Sequence, residues 1–342
     1  VRLDPDDDAL TFGRSVHELL AAHCDPEALR TAWDDADGRV PGVWAGLAEL
    51  GVPAVLVPES DGGLGLDLRA LLPAVVESGR AALPEPLIET IVGTALLATA
   101  GGPVAQRWLP DIATGQATVA VGLGPGGLVS AAGWADVYLV RDGNDVRVLS
   151  ASEVEVSAEA SIDRGVRLGT VASADGAGVR LEGADPDAAF DLGAVAASAQ
   201  LVGVATAMLD MGVRYALQRE QFGAVIGSFQ AIKHQLADAY VAIEFARPVL
   251  ARAVWSVATA APTRARDASH AKYAAAGAAD RAARTALQVH AGIGYTYEHD
   301  LHMWMKRSWT LASLWGTPAW HKARISALLL GPGDHAGSEE GS

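Results

Sequence analysis

The chain has a single cysteine, Cys24, in 342 residues, which excludes an intrachain disulfide and a cysteine-rich metal centre and suits a reducing cytosol. It also has no cluster of Lys and Arg: 26 basic residues stand against 41 acidic ones, a formal charge of −15. Nucleic-acid phosphates are bound by grouped cations, so no nucleic-acid partner is expected. The opening residues Val1-Arg2-Leu3-Asp4-Pro5-Asp6-Asp7-Asp8 lack the basic stretch and apolar run of a secretory signal. Acids there suit a helix N-terminus instead. Between Lys306 and Leu330 there is no Asp or Glu at all.

What is present is apolar: 50% of the residues are hydrophobic, enough for a sizeable core. Residues 192–209 are mostly Ala, Val, Leu and Gly and approach the length of a membrane span. Gln200 inside that run, with Asp191 and Asp210 bounding it, favours a buried helix and no membrane span. Up to residue 116 the pattern is helical, with apolar positions Val16, Leu19 and Leu20 and then Val43, Leu47 and Leu50. Pro53, Pro58, Gly62, Gly63 and Gly65 punctuate a loop. Further helices are expected over 66–78, 89–100 and 103–112. From 117 to 186 short β-branched runs take over. Residues 137–140 and 146–149 flank Asp142-Gly143-Asn144-Asp145 and read as a hairpin. Residues 161–164 and 178–181 are expected to continue this small β domain.

From 187 to 330 long helices return. Ile232, Leu236, Tyr240, Ile243, Arg247, Leu250, Val254 and Val257 mark one stripe, and the Ala-rich face of 264–289 allows close helix approach. Two more helices are expected over 300–314 and 318–330, and the Gly-, Ser- and Glu-rich 331–342 reads as a disordered tail. The fold class is therefore mainly α with a small β domain: an N-terminal helical domain, a middle β domain and a C-terminal four-helix-type bundle.

Two blocks carry a resemblance. The first is Arg219-Glu220-Gln221-Phe222-Gly223 with Phe229-Gln230-Ala231-Ile232-Lys233-His234-Gln235 following; the second is Gln288-Val289-His290-Ala291-Gly292-Ile293-Gly294-Tyr295-Thr296. With a weaker third block over 47–65, they make the chain resemble the acyl-CoA dehydrogenase family. That resemblance implies FAD as cofactor, an acyl-CoA thioester as substrate, desaturation between its α and β carbons, and an electron-transfer acceptor. It assigns the FAD's pyrophosphate and adenine end to Arg219, Gln221, Phe222, Gly223, Gln230, Gln288 and Gly292, on a cofactor held mainly by a neighbouring subunit. Lys233 is a further local cation. Ala291 departs from the family's usual glycine.

The family's spacing puts its catalytic glutamate at Trp315, in Leu314-Trp315-Gly316-Thr317. An indole N–H donates and has no basic lone pair, so it takes no proton. The family's alternative position for the base aligns with Gly193, which is also empty. The Thr-Glu-Pro segment that lies over the flavin ring is missing, and Gly122-Leu123-Gly124-Pro125-Gly126-Gly127 stands there as an abbreviated loop that is no phosphate loop. By resemblance this is the glutamate-free subunit of a heteromeric dehydrogenase of the steroid side-chain type. Its partner would be a second acyl-CoA dehydrogenase-like subunit, in a cytoplasmic heterotetramer. Two alternatives remain: a homo-oligomer with a relocated base such as Glu244 or Glu298, and a non-catalytic interaction subunit. Glu298 and Asp300 read as helix-capping or surface acids. His234 and His290 read as structural histidines beside apolar residues, and His299-Asp300-Leu301-His302 lacks a metal spacing.

Overall fold

Asp6 accepts a hydrogen bond from the Ala9 amide and caps helix α1 (Asp7–His23), whose first turn carries Asp7 and Asp8. The computed structural model describes residues 3–35, 38–124 and 127–331; the expected tail beyond Gly331 and the middle of the 122–127 loop lie outside them. Five more helices follow: α2 (Pro26–Asp34), α3 (Val43–Glu49), α4 (Leu68–Arg80), α5 (Leu87–Ala100) and α6 (Gly102–Ala113). Val16, Leu20, Val43 and Leu47 are buried together, as their spacing predicts. The punctuated stretch after α3 is a run of turns.

The middle of the chain is a seven-stranded sheet of order β5-β6-β2-β1-β3-β4-β7. Its strands are β1 (Val119–Gly122), β2 (Leu128–Ser130), β3 (Val137–Asp142), β4 (Asp145–Ser150), β5 (Val154–Glu159), β6 (Leu168–Ser173) and β7 (Val179–Arg180). The expected hairpin is β3–β4, in register from Val137↔Ser150 to Asp142↔Asp145. Residues 161–164 form no strand: they bend and turn, and Asp163 leaves the sheet to pair with Arg307. That pair is buried, its side chains only 5% and 1% exposed, and Arg307 also donates to the Leu83 carbonyl. One guanidinium thus joins the N-terminal helices, the β region and the C-terminal helices.

Helix α7 (Pro186–Gln218) returns the chain to α structure. Its apolar window is 94% buried, which accounts for its hydropathy without a membrane. It packs so closely on α4 that a Cβ at Gly203 would sit 2.0 Å from the Val76 carbonyl oxygen. A short hairpin of β8 (Glu220–Gln221) and β9 (Ala224–Val225) leads to α8 (Gln230–Ala258), α9 (Arg264–His290), α10 (Leu301–Ser313) and α11 (Pro318–Leu330). Along α9 the small face of Ala271, Ala275, Ala278, Ala282 and Ala286 is buried, as expected. The stripe on α8 is buried only from Ala239 onward. Tyr240, expected inside, is 56% exposed, and Val241 and Phe245 are exposed beside it.

Candidate functional site

Gly193 and Trp315, far apart in sequence, meet in space. A Cβ built on Gly193 would lie 2.3 Å from the Trp315 ring, closer than any real contact, so the indole fills the space a side chain at 193 would need. Trp315 is buried and holds a left-handed backbone with φ 56°, an outlier for a bulky residue. Phe190 packs on its ring at 5.9 Å between centroids.

The strained turn is over-determined. Lys272 on α9 is fully buried and donates from Nζ to three backbone carbonyls, Ala312 at 3.1 Å, Leu314 at 2.8 Å and Gly316 at 2.9 Å. Burial pushes its pKa down to about 7. His321 on α11 donates from Nε2 to the Trp315 carbonyl at 2.8 Å and takes the Ser269 hydroxyl on Nδ1 at 3.0 Å. Burial pushes its pKa down to about 4, which fixes it as the neutral ring that makes both bonds.

Trp315 is also a wall between two cavities. The inner one, about 40 Å³, is lined by Glu85, Glu89, Ser130, Arg167, Gln200 and Arg307 among others. The outer one, about 200 Å³, is lined by Val121, Leu123, Leu128 and Trp320 and shares Ser130, Leu314 and Trp315 with the first. Burial raises the pKa of both Glu85 and Glu89. These two are the acids that line the inner cavity. Glu244 instead pairs with Arg247 on its own helix, and Glu298 is exposed; neither lines these cavities. Asp300 makes no side-chain cap for α10, contrary to one expectation, because its carboxylate is engaged by Arg30.

The second region is an exposed edge. Between β8 and β9 the turn residues Phe222 and Gly223 both have positive φ, 56° and 77°, the pattern of a type I′ hairpin turn. Asn-Gly is the usual pair there; Phe222 is strained and its ring stands 93% exposed, edge-on to Phe229 at 6.4 Å. Arg219, just before β8, is exposed and makes no ion pair among the described residues. Gln221, Gln230 and Gln288 are exposed amides, Gln230 at the N-terminus of α8. Gly292 has nothing within 4 Å of a Cβ, and neighbouring Ala291 holds φ 53°. None of the seven lines the two cavities at Trp315.

Profiles of the acyl-CoA dehydrogenase N-terminal and C-terminal domains match residues 6–116 and 186–330. The acyl-CoA dehydrogenase IpdE2 of Mycobacterium tuberculosis is 35% identical over 318 residues, which cover 92% of this chain and 95% of that protein. The chain belongs to the acyl-CoA dehydrogenase family. Its fold also matches the crystal structure of the ChsE4–ChsE5 complex from Mycobacterium tuberculosis, with a TM-score of 0.89 and 26% identity over 97% of this chain and 100% of that one. The Tcur3481–Tcur3483 steroid ACAD matches with a TM-score of 0.85 and 24% identity over 95% and 98%, a likeness of fold.

FAD is the cofactor of this family of oxidoreductases, and the residues of the exposed edge fit its anionic and aromatic end. An unpaired guanidinium suits a pyrophosphate, a bare aromatic ring suits a purine, and Gly292 leaves room for close backbone approach. The histidines divide. His290 is buried, bonds the Ala286 carbonyl through Nδ1 and stacks on Tyr215, as a structural histidine does; His234 is exposed and packs in no core. Lys272, His321, Glu85 and Glu89 carried no sequence signal. Glu85 lies in the turn before α5, Glu89 on α5, Lys272 on α9 and His321 on α11, and only the fold brings them together.

Proposed function

We propose that this chain is one subunit of an FAD-dependent acyl-CoA dehydrogenase built from two different chains. It lends Arg219, Gln221, Phe222, Gly223, Gln230, Gln288 and Gly292 to the pyrophosphate and adenine end of a flavin seated mainly on the partner, and the partner supplies the catalytic glutamate. The observation that carries this reading is the indole of Trp315 packed onto Gly193, with a carboxylate at neither position. The likeness to a two-chain complex supports it. When bound, FAD supplies the acceptor for the hydride that leaves the β carbon of the acyl group.

Arg219 would hold the pyrophosphate bidentately, since its guanidinium is always charged and already extends into solvent. Phe222 would lose its exposed surface against the adenine, and the amide side chains would fix orientation. Tyr240, Val241 and Phe245 on α8, with Leu217 66% exposed at the end of α7, offer the apolar area a heteromeric bundle needs. A bulky, steroid-type CoA ester is the substrate by analogy with the steroid ACAD, in the cytoplasm, with electrons passing to a protein acceptor.

The test is flavin content. The chain and its partner, purified singly and together, are expected to hold FAD only as the complex, and Arg219→Ala in this chain is expected to strip it. A second reading has one observation behind it. If the lone chain turns over acyl-CoA, the relocated base is Glu89 or Glu85, because these acids share the Trp315 cavity while Glu244 and Glu298 do not. One of Glu89→Gln and Glu85→Gln would then abolish turnover, whereas under the first reading both leave the complex active.

A further inference from the structure

Two distant segments supply the exposed edge, and one ring joins them. Arg219 caps the last turn of α7, its amide donating to the Tyr215 carbonyl at 2.9 Å, while Gln288 and Gly292 flank His290 at the end of α9. The two helices run close here: a Cβ built on Gly212 would lie 3.6 Å from the Ala286 Cα. Further along, the His290 ring packs on Tyr215 at 4.4 Å between centroids, tilted by 32°, and on His299 at 4.3 Å. Tyr215 and His299 also meet, at 6.5 Å and perpendicular. His290 is 2% exposed, and its Nδ1 donates to the Ala286 carbonyl at 2.7 Å, which sets the direction of the ring. Ala291 then turns the chain out of the helix at φ 53°.

The protonation states follow from the bonds and the burial. His299 accepts the Leu301 amide, the first of α10, on Nδ1 at 3.1 Å. Burial lowers the pKa of both rings; at His290 the Ala286 bond opposes this and the neighbouring His299 adds to it, while at His299 Asp300 opposes it and Arg30 adds to it. Asp300 is itself paired with Arg30 of α2, and His302 and Lys306 of α10 stand nearby. Each ring is therefore a neutral imidazole, and the stack carries no charge. We propose that His290 is a positioning residue for the flavin: packed on Tyr215 and His299, its ring holds the Arg219 end of α7 in register with Gln288 and Gly292, so that both halves of the edge reach one cofactor. This rests on the flavin reading proposed above. Because the packed rings bind protons less readily than free ones, the arrangement is fully present above pH 6.5, the ordinary imidazole value, and is lost as pH falls through the lower values of the two rings.

The test is the FAD affinity of the reconstituted two-chain complex, followed by flavin fluorescence at neutral pH and at about pH 5.5, on variants that sediment as the native complex does. His290→Ala is expected to weaken FAD about tenfold at neutral pH. Tyr215→Leu is expected to do the same, and the double variant to be no worse than either. His290→Phe keeps a ring that cannot titrate; it is expected to match the native complex at neutral pH and to lose less FAD in acid. The positioning role is overturned if Arg219→Ala weakens FAD while His290→Ala does not, if His290→Phe is as weak as His290→Ala, or if the acid loss is unchanged in His290→Phe. An Arg219→Ala complex that keeps its FAD overturns the flavin reading itself, and this proposal with it.

Discussion

The surroundings of Trp315 and those of Phe222 are built in opposite ways. Both aromatic residues hold the left-handed backbone that bulky side chains avoid. At Trp315 the strain is enclosed: Lys272 and His321 grip the carbonyls on either side, Phe190 packs the ring, and Gly193 makes room for it. At Phe222 a two-residue turn holds the residue out at 93% exposure, near an arginine that meets no acid among the described residues. One strained aromatic closes a site from within; the other waits for a surface from without. The position proposed to lack the base is sealed in this chain, and the edge proposed to reach a partner's cofactor is open.

The contrast breaks most visibly if the enclosed aromatic proves dispensable. Trp315→Ala is expected to destabilise the chain by ~3–5 kcal/mol, the range for a large aromatic removed from a packed interior, as read by chemical denaturation. Acid should act on the same clamp. Burial holds the pKa of His321 down at about 4 in the fold against the ordinary 6.5 of an imidazole, so the native state binds fewer protons than the unfolded one between those values. The stability this gives, roughly 3 kcal/mol at most, is present above pH 6.5 and is lost as pH falls toward 4. Comparing denaturation of the native chain and His321→Gln across that window checks the sign.

Gly193→Ala is expected to cost ~1–3 kcal/mol by overpacking in the native chain and almost nothing when Trp315 is already Ala. A double-mutant cycle that shows no coupling would separate the two positions. The smallest effect has the opposite sign. Ala291 sits at φ 53°, where this family usually has glycine, so Ala291→Gly is expected to raise stability by about 1 kcal/mol.

The helices and the β3–β4 hairpin were legible because each repeats a local rule over many residues: buried Val16, Leu20, Val43 and Leu47, an Ala face on α9, and Asp-Gly-Asn-Asp between β-branched runs. Residues 161–164 misled because an apolar Ile162 beside Asp163 resembles a strand, while the aspartate's true partner is Arg307 in a distant helix. Tyr240 misled because periodicity marks an apolar face without saying which molecule covers it; it lies 56% exposed. Trp315 was legible as an absence, through family spacing alone. That Gly193 answers it sterically, and that Lys272 and His321 secure it, depends on contacts between helices that no local pattern encodes.

The central claim is that this chain completes a flavin site it does not itself contain, and flavin absorbance tests it most directly. The chain alone is expected to carry no FAD, its complex with the partner to carry it, and Arg219→Ala to remove it from the complex while leaving the fold's stability within about 0.5 kcal/mol. Stoichiometric FAD and full turnover from the chain alone would contradict the account.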